Sequence, residues 1–157
     1  MRDPGLVFIA KFALFFSIPY VLIHLMDLGT LAGFVAGFEG WALGGQVAGS
    51  TILLAGMPYE IIADCTGLVM ISMLAALLVA QRGETDKKLA AFALFAPVLF
   101  GFNLLRLWAT ISIGAANGPE AMEAAHLGFW MVDAGAVLLA WLVALKFVFR
   151  QRIEEAI

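Results

Sequence analysis

The chain has 157 residues, of which 63% are hydrophobic and 13% charged, with a formal net charge of -3 and a mean hydropathy of +0.98. Soluble domains carry about 25% charged residues, so this chain excludes that class and belongs in lipid. It also excludes a disulfide scaffold, because there is one cysteine, and a nucleic-acid partner, because no dense basic block is present to neutralise phosphates.

A membrane-spanning helix needs about 20 mainly apolar residues. Residues 6–26 form the first such run, interrupted by Lys11 and Pro19. It is too long for a signal-peptide core and no small-x-small cleavage site follows it, so it is expected to span. The second run, about 28–48, carries Gly29, Gly33 and Gly37 at four-residue spacing, which predicts a groove for close helix approach. Residues 50–64 read differently. Two short β-prone runs, 51–54 and 59–62, flank a turn with Gly56 and Pro58, a hairpin-like pattern too short to span and expected at one membrane face. The third helix is predicted from Cys65 or Thr66 to Ala80, and the fourth from about 89 to 113 after a charged loop. A polar connector over 114–125 then leads to the fifth, about 126–149. The expected fold is an all-α polytopic membrane protein of about five transmembrane helices in one domain, 1–157, with a hairpin-like extracytoplasmic segment before the cysteine.

Orientation follows from Arg82, Lys87 and Lys88 in the loop after helix three and from Lys146, Arg150 and Arg152 at the C-terminus. Both regions are expected on the cytoplasmic side. The 50–64 segment and the 114–125 connector then lie outside, and five spans would put the N-terminus outside as well.

Ionisable groups within a bilayer are costly, so each is a candidate for function. The candidates are Lys11, His24, Asp27, Glu39, Arg106, His126 and Asp133. Topology places Cys65 at the outer, N-terminal end of helix three, Arg106 about 10 Å below the outer end of helix four, and His126 at the outer tip of helix five. A thiol at a helix N-terminus gains from the dipole, a histidine can take its proton, and an arginine can hold an oxyanion or a substrate carboxylate. Together they form an acyl-transfer set. The competing structural readings are an inert packed cysteine, an interfacial His126, and an Arg106–Asp133 ion pair with Asn103 hydrogen-bonded to either partner. Lys11 and Glu39 could form a second buried pair, and His24 with Asp27 makes only a weak metal case. A small transporter or channel component, with Lys11, Glu39, Arg106 and Asp133 lining a polar path, is the alternative from another functional class.

The segments ADCTGLVMI, FNLLRL and AAHLG, in this order, resemble the exosortase/archaeosortase family of membrane cysteine transpeptidases, with this chain as a short member. Cys65-Thr66-Gly67, Asn103 with Arg106, and His126 match the family pattern, and the resemblance covers about residues 45–150. It implies Cys65 as nucleophile, His126 as general acid/base and Arg106 as transition-state stabiliser, with Asn103, Asp133, Thr66 and Gly67 in support. It also implies the partners. The substrate would be an exported protein whose C-terminal sorting signal includes a transmembrane helix, cleaved outside the cytoplasmic membrane of a prokaryote. The acceptor of the new C-terminus would be a membrane lipid. No metal, other cofactor or nucleic acid enters this expectation.

Overall fold

The computed structural model describes residues 3–157. Helix α1, Pro4–Leu25, starts with Pro4 in its first turn and with the Asp3 carboxylate accepting from Gly5 N. Leu6, Ile9, Leu14, Ile18 and Leu25 on α1 are exposed, as a lipid-facing surface requires. Helix α2, Gly29–Leu43, begins where the Asp27 side chain accepts from Gly29 N and stops at Gly44 in the left-handed region. At 15 residues α2 is about 22 Å long, too short for a hydrocarbon core of about 30 Å. It packs on strands, on the turn that carries Cys65 and on helix α4, rather than beside α1 and α3.

The tail of the predicted second helix is a strand. Strands β1 (Gln46–Ala48), β2 (Thr51–Leu54) and β3 (Met57–Glu60) form an antiparallel sheet in that order, with Ile52 opposite Tyr59 and Val47 opposite Ile52. The β2–β3 turn is the two residues Ala55 and Gly56, both at positive φ (52° and 79°), the backbone that matches the twist of a tight hairpin. Pro58 was expected in that turn. It sits instead in edge strand β3, where a missing N–H is tolerated.

Helix α3 (Leu68–Ala80), α4 (Thr85–Asn117) and α5 (Pro119–Ala144) complete the bundle, and α5 runs on through a π-helical turn, Leu145–Phe149. The α1, α4 and α5 segments are long and apolar enough to cross a membrane, whereas α3 is an apolar helix of 13 residues. The predicted five spans are thus three helices of full spanning length and two shorter ones. The 114–125 connector is mostly helix, because its Ala, Met and Glu residues favour helix and Pro119 suits the first turn of α5. Only Gly118 separates α4 from α5.

Helix α3 packs against α1, α4 and α5. One core, at the end holding both termini, gathers Leu74, Leu77, Leu78, Val137, Trp141 and Phe149, with Phe8 and Phe12 of α1 against it. The N-terminal half of α1 therefore lies at the same end as the C-terminus, contrary to the opposite placement that five spans require. Arg82 N donates to Ala156 O in the short closing helix α6 (Ile153–Ala156), which draws the basic loop and basic tail together. The second core, at the other end, joins α2, the sheet and α4 through Val35, Ile52, Tyr59, Ile61, Leu107 and Ile111. Cys65 belongs to this second core.

Candidate active site

The sheet delivers the chain to Cys65. Ile61 N donates to Ser50 O at 2.8 Å, fixing the exit from β3, and residues Ala63–Thr66 then close a 3-10 turn. Cys65 N donates to Ile62 O at 2.9 Å, and Thr66 Oγ1 donates to Ala63 O at 2.6 Å. Gly67 follows at φ +80°, and a Cβ there would lie 3.2–3.3 Å from the Asn103 side chain. Both the backbone and the close approach call for glycine. What that approach allows is a hydrogen bond from Asn103 Nδ2 to Cys65 O at 2.9 Å, between buried groups 38 residues apart.

Cys65 was expected in the first turn of helix three, where the dipole would favour the thiolate. The structure puts it three residues ahead of Leu68, and burial pushes its thiol up. A hydrogen bond with the Ile62 backbone and the Arg106 guanidinium oppose that rise, while the neighbouring Asp64 carboxylate adds to it. Desolvation outweighs the rest, so a reacting Cys65 needs a base to take its proton.

Arg106 is 3% exposed and stands one turn beyond Asn103 on α4. Its Nη2 donates to Asn103 Oδ1 at 3.2 Å, and its Nη1 meets Asp133 Oδ2 of α5 at 3.4 Å. The expected Arg106–Asp133 pair and the Asn103 contact are therefore both present, in one chain of bonds running Asp133–Arg106–Asn103–Cys65. Thr110 Oγ1 donates to Arg106 O at 2.9 Å. Two buried atoms in this chain have no partner, Arg106 Nε and Asp133 Oδ1.

His126 stands seven residues inside α5, not at its tip, because the helix begins at Pro119. Its ring meets Trp130 edge-on with centroids 6.0 Å apart. Cys65 and His126 line the same cleft, about 230 Å³, whose rim is the end of β3 and the 61–62 link and whose walls include Leu107, Ile111 and Glu123. A second cavity of about 200 Å³ lies between α1, α3 and α5, with Asp133, Asp64, Tyr20 and Trp130 among its walls.

Other expectations do not hold. Glu39 is fully buried in α2, both its oxygens lack partners, and Lys11 is exposed, so the two form no pair. The glycine groove of α2 is partly filled: a Cβ at Gly33 would lie 3.5 Å from Gly49 O, while one at Gly37 would meet nothing within 4 Å. His24 and Asp27 do not share a site, since Asp27 caps α2 and His24 Nε2 meets Asp64 Oδ1 at 3.0 Å. Asp64 was missing from the sequence candidates because it lies outside the apolar runs. The five-span reading put the end of helix one at the face opposite Asp64, so no topological signal joined them; the short α2 is what leaves that end beside the cysteine turn.

A sequence model of the transmembrane exosortase family matches residues 5–148. No curated protein and no solved structure matches the chain.

Proposed function

The chain belongs to the transmembrane exosortase family and is a multi-pass membrane protein, and from that premise we propose that it is a cysteine transpeptidase acting on exported proteins. The observation that carries this reading is that Cys65 and His126 line one cleft while Arg106 is bonded, through Asn103, to the Cys65 backbone. Among the described residues, five of the six buried polar groups, Glu39, Thr66, Asn103, Arg106 and Thr110, lie on α2, on the cysteine turn and on the part of α4 that faces them, and the sixth, the neutral amide Gln81, lies at the other end. A polar path for transport needs such groups along the whole depth of the bundle, so their gathering favours acyl transfer.

His126 takes the proton from Cys65 Sγ, and the thiolate attacks the carbonyl carbon of the scissile peptide. The carbonyl π electrons move to oxygen, and the guanidinium of Arg106, whose Nε–H is uncommitted, stabilises the oxyanion. Asp133 and Asn103 hold that guanidinium in place. When the oxyanion collapses, the C–N bond breaks and His126 returns the proton to the leaving amine, which leaves a thioester on Cys65. A nucleophile of the acceptor, in this reading a membrane lipid, then gives its proton to His126, attacks the thioester and releases the thiol. The substrate is an exported protein with a C-terminal sorting signal that includes a transmembrane helix, processed on the extracytoplasmic face, with both basic segments cytoplasmic.

The test is to co-express a tagged exported protein and trap its thioester on Cys65. The expected result is a mass adduct on the peptide that contains Cys65, absent from Cys65→Ala, with processing below detection in that variant. Normal processing by a folded Cys65→Ala protein overturns the assignment.

A further inference from the structure

His24 ends α1 and its side chain is about one-third exposed, yet both ring nitrogens are engaged. Nδ1 lies 2.8 Å from Tyr20 O and Nε2 lies 3.0 Å from Asp64 Oδ1, and the ring packs on Tyr20 with centroids 4.5 Å apart. A carbonyl oxygen and a carboxylate oxygen are both acceptors. Both nitrogens must therefore carry hydrogens, which makes the ring an imidazolium facing a carboxylate. Asp64 is the residue before Cys65 in the same 3-10 turn. No other contact among the hydrogen bonds and ion pairs described ties α1 to this turn.

We propose that His24 is a positioning residue for Cys65: its imidazolium clamps Asp64 to α1 and cancels the negative charge that Asp64 would otherwise present to the thiolate. The geometry gives the reason. The thiolate forms beside a carboxylate one residue away, and like charges oppose each other. The charged or titratable groups around it are Arg106 of α4, already shared with Asp133, His126 and Glu123 of α5, and Tyr59 and Glu60 of β3. Without His24 the acidic members outnumber the basic ones on that side of the cleft. With His24 charged, the Asp64 pair is neutral, and the carboxylate next to the thiol in the chain no longer offsets what Arg106 contributes.

The role extends the proposed mechanism, but its test needs neither substrate nor turnover. Cys65 is the only cysteine, so the rate of its modification by N-ethylmaleimide, read by intact mass on purified full-length protein, reports its thiolate fraction. At pH 6, where the imidazole is charged, His24→Gln is expected to slow modification about tenfold, one pH unit in the thiol equilibrium. Toward pH 9 the imidazole is neutral in the parent protein too, and the two rates converge. In His24→Gln/Asp64→Asn the offending charge is gone as well, so the rate at pH 6 returns to that of the parent. Asp64→Asn alone is expected to modify at pH 6 at least as fast as the parent, which tests the charge with His24 still in place. Equal rates for His24→Gln and the parent at pH 6 overturn the proposal. So does a slowing that persists at pH 9 or survives the double substitution, because either marks a packing role. Loss of processing in Cys65→Ala bears on the nucleophile alone and leaves this test unaffected.

Discussion

At the end of the bundle that holds both termini, Leu74, Leu77, Val137 and Trp141 close around one neutral amide, Gln81, whose Oε1 accepts from Trp141 Nε1. At the other end the chain buries Glu39, Asn103, Arg106 and the Tyr59 hydroxyl beside Cys65. The orphaned buried atoms differ in the same way. They are amide atoms of Gln81 and Gln151 at the first end, and atoms of Glu39, Tyr59, Arg106 and Asp133 at the second. An unpaired amide atom is a modest loss, whereas charged groups kept partly unpaired in a membrane protein cost far more and persist where chemistry uses them. One end is closed almost wholly by apolar side chains, and the other keeps ionisable groups buried and partly unpaired, as the proposed chemistry would require.

The largest effect expected from this contrast is at Arg106. Arg106→Lys keeps the charge but loses the planar fork that meets Asn103 and Asp133 together. Processing rate should fall about a hundred- to a thousandfold with the protein still folded. A rate within a few fold of the parent would make Arg106 a structural ion-pair partner and erase the functional distinction between the two ends. Next is Leu74, fully buried in the other core. Leu74→Ala should lower stability by about 3 kcal/mol in detergent unfolding while the folded fraction processes substrate at the parent rate. A fall in the rate per folded molecule would show that the two ends are coupled. The smallest is Gly67→Ala, at φ +80° against Asn103, which should cost about 2 kcal/mol through backbone strain. It should also reduce activity by displacing the Asn103–Cys65 bond, so a stability loss with full activity would separate that bond from catalysis.

Much of the site was legible because intramembrane polar residues are few. Arg106 and Asp133 could be matched by depth along two neighbouring helices, and their ion pair is present. Asn103 could be placed one turn from Arg106, although its bond to the Cys65 carbonyl depends on the left-handed Gly67, which periodicity does not reveal. The strands were half legible. The run at 51–54 is β2, but β1 was hidden in an apolar, glycine-rich stretch that reads equally well as helix. Helix ends were the weakest part, because Ala and Glu in the 114–125 segment extend α4 and α5 to within one residue of each other. Nothing in the sequence spacing pointed from His24 to Asp64, 40 positions later, and that bond emerges only once α1 lies beside α3.

Gly118 is the whole of the non-helical link between α4 and α5. A link that short has a consequence for how the protein is made. The two helices must leave the aqueous phase together as one hairpin, and Arg106 and Asp133 then partition as a neutral couple. Either charge carried alone to the middle of a bilayer helix costs about 3 kcal/mol at insertion. Residues added at Gly118 would let the helices partition one after the other and charge each of them that cost separately, so the length of this turn governs the yield of inserted protein before any substrate is met.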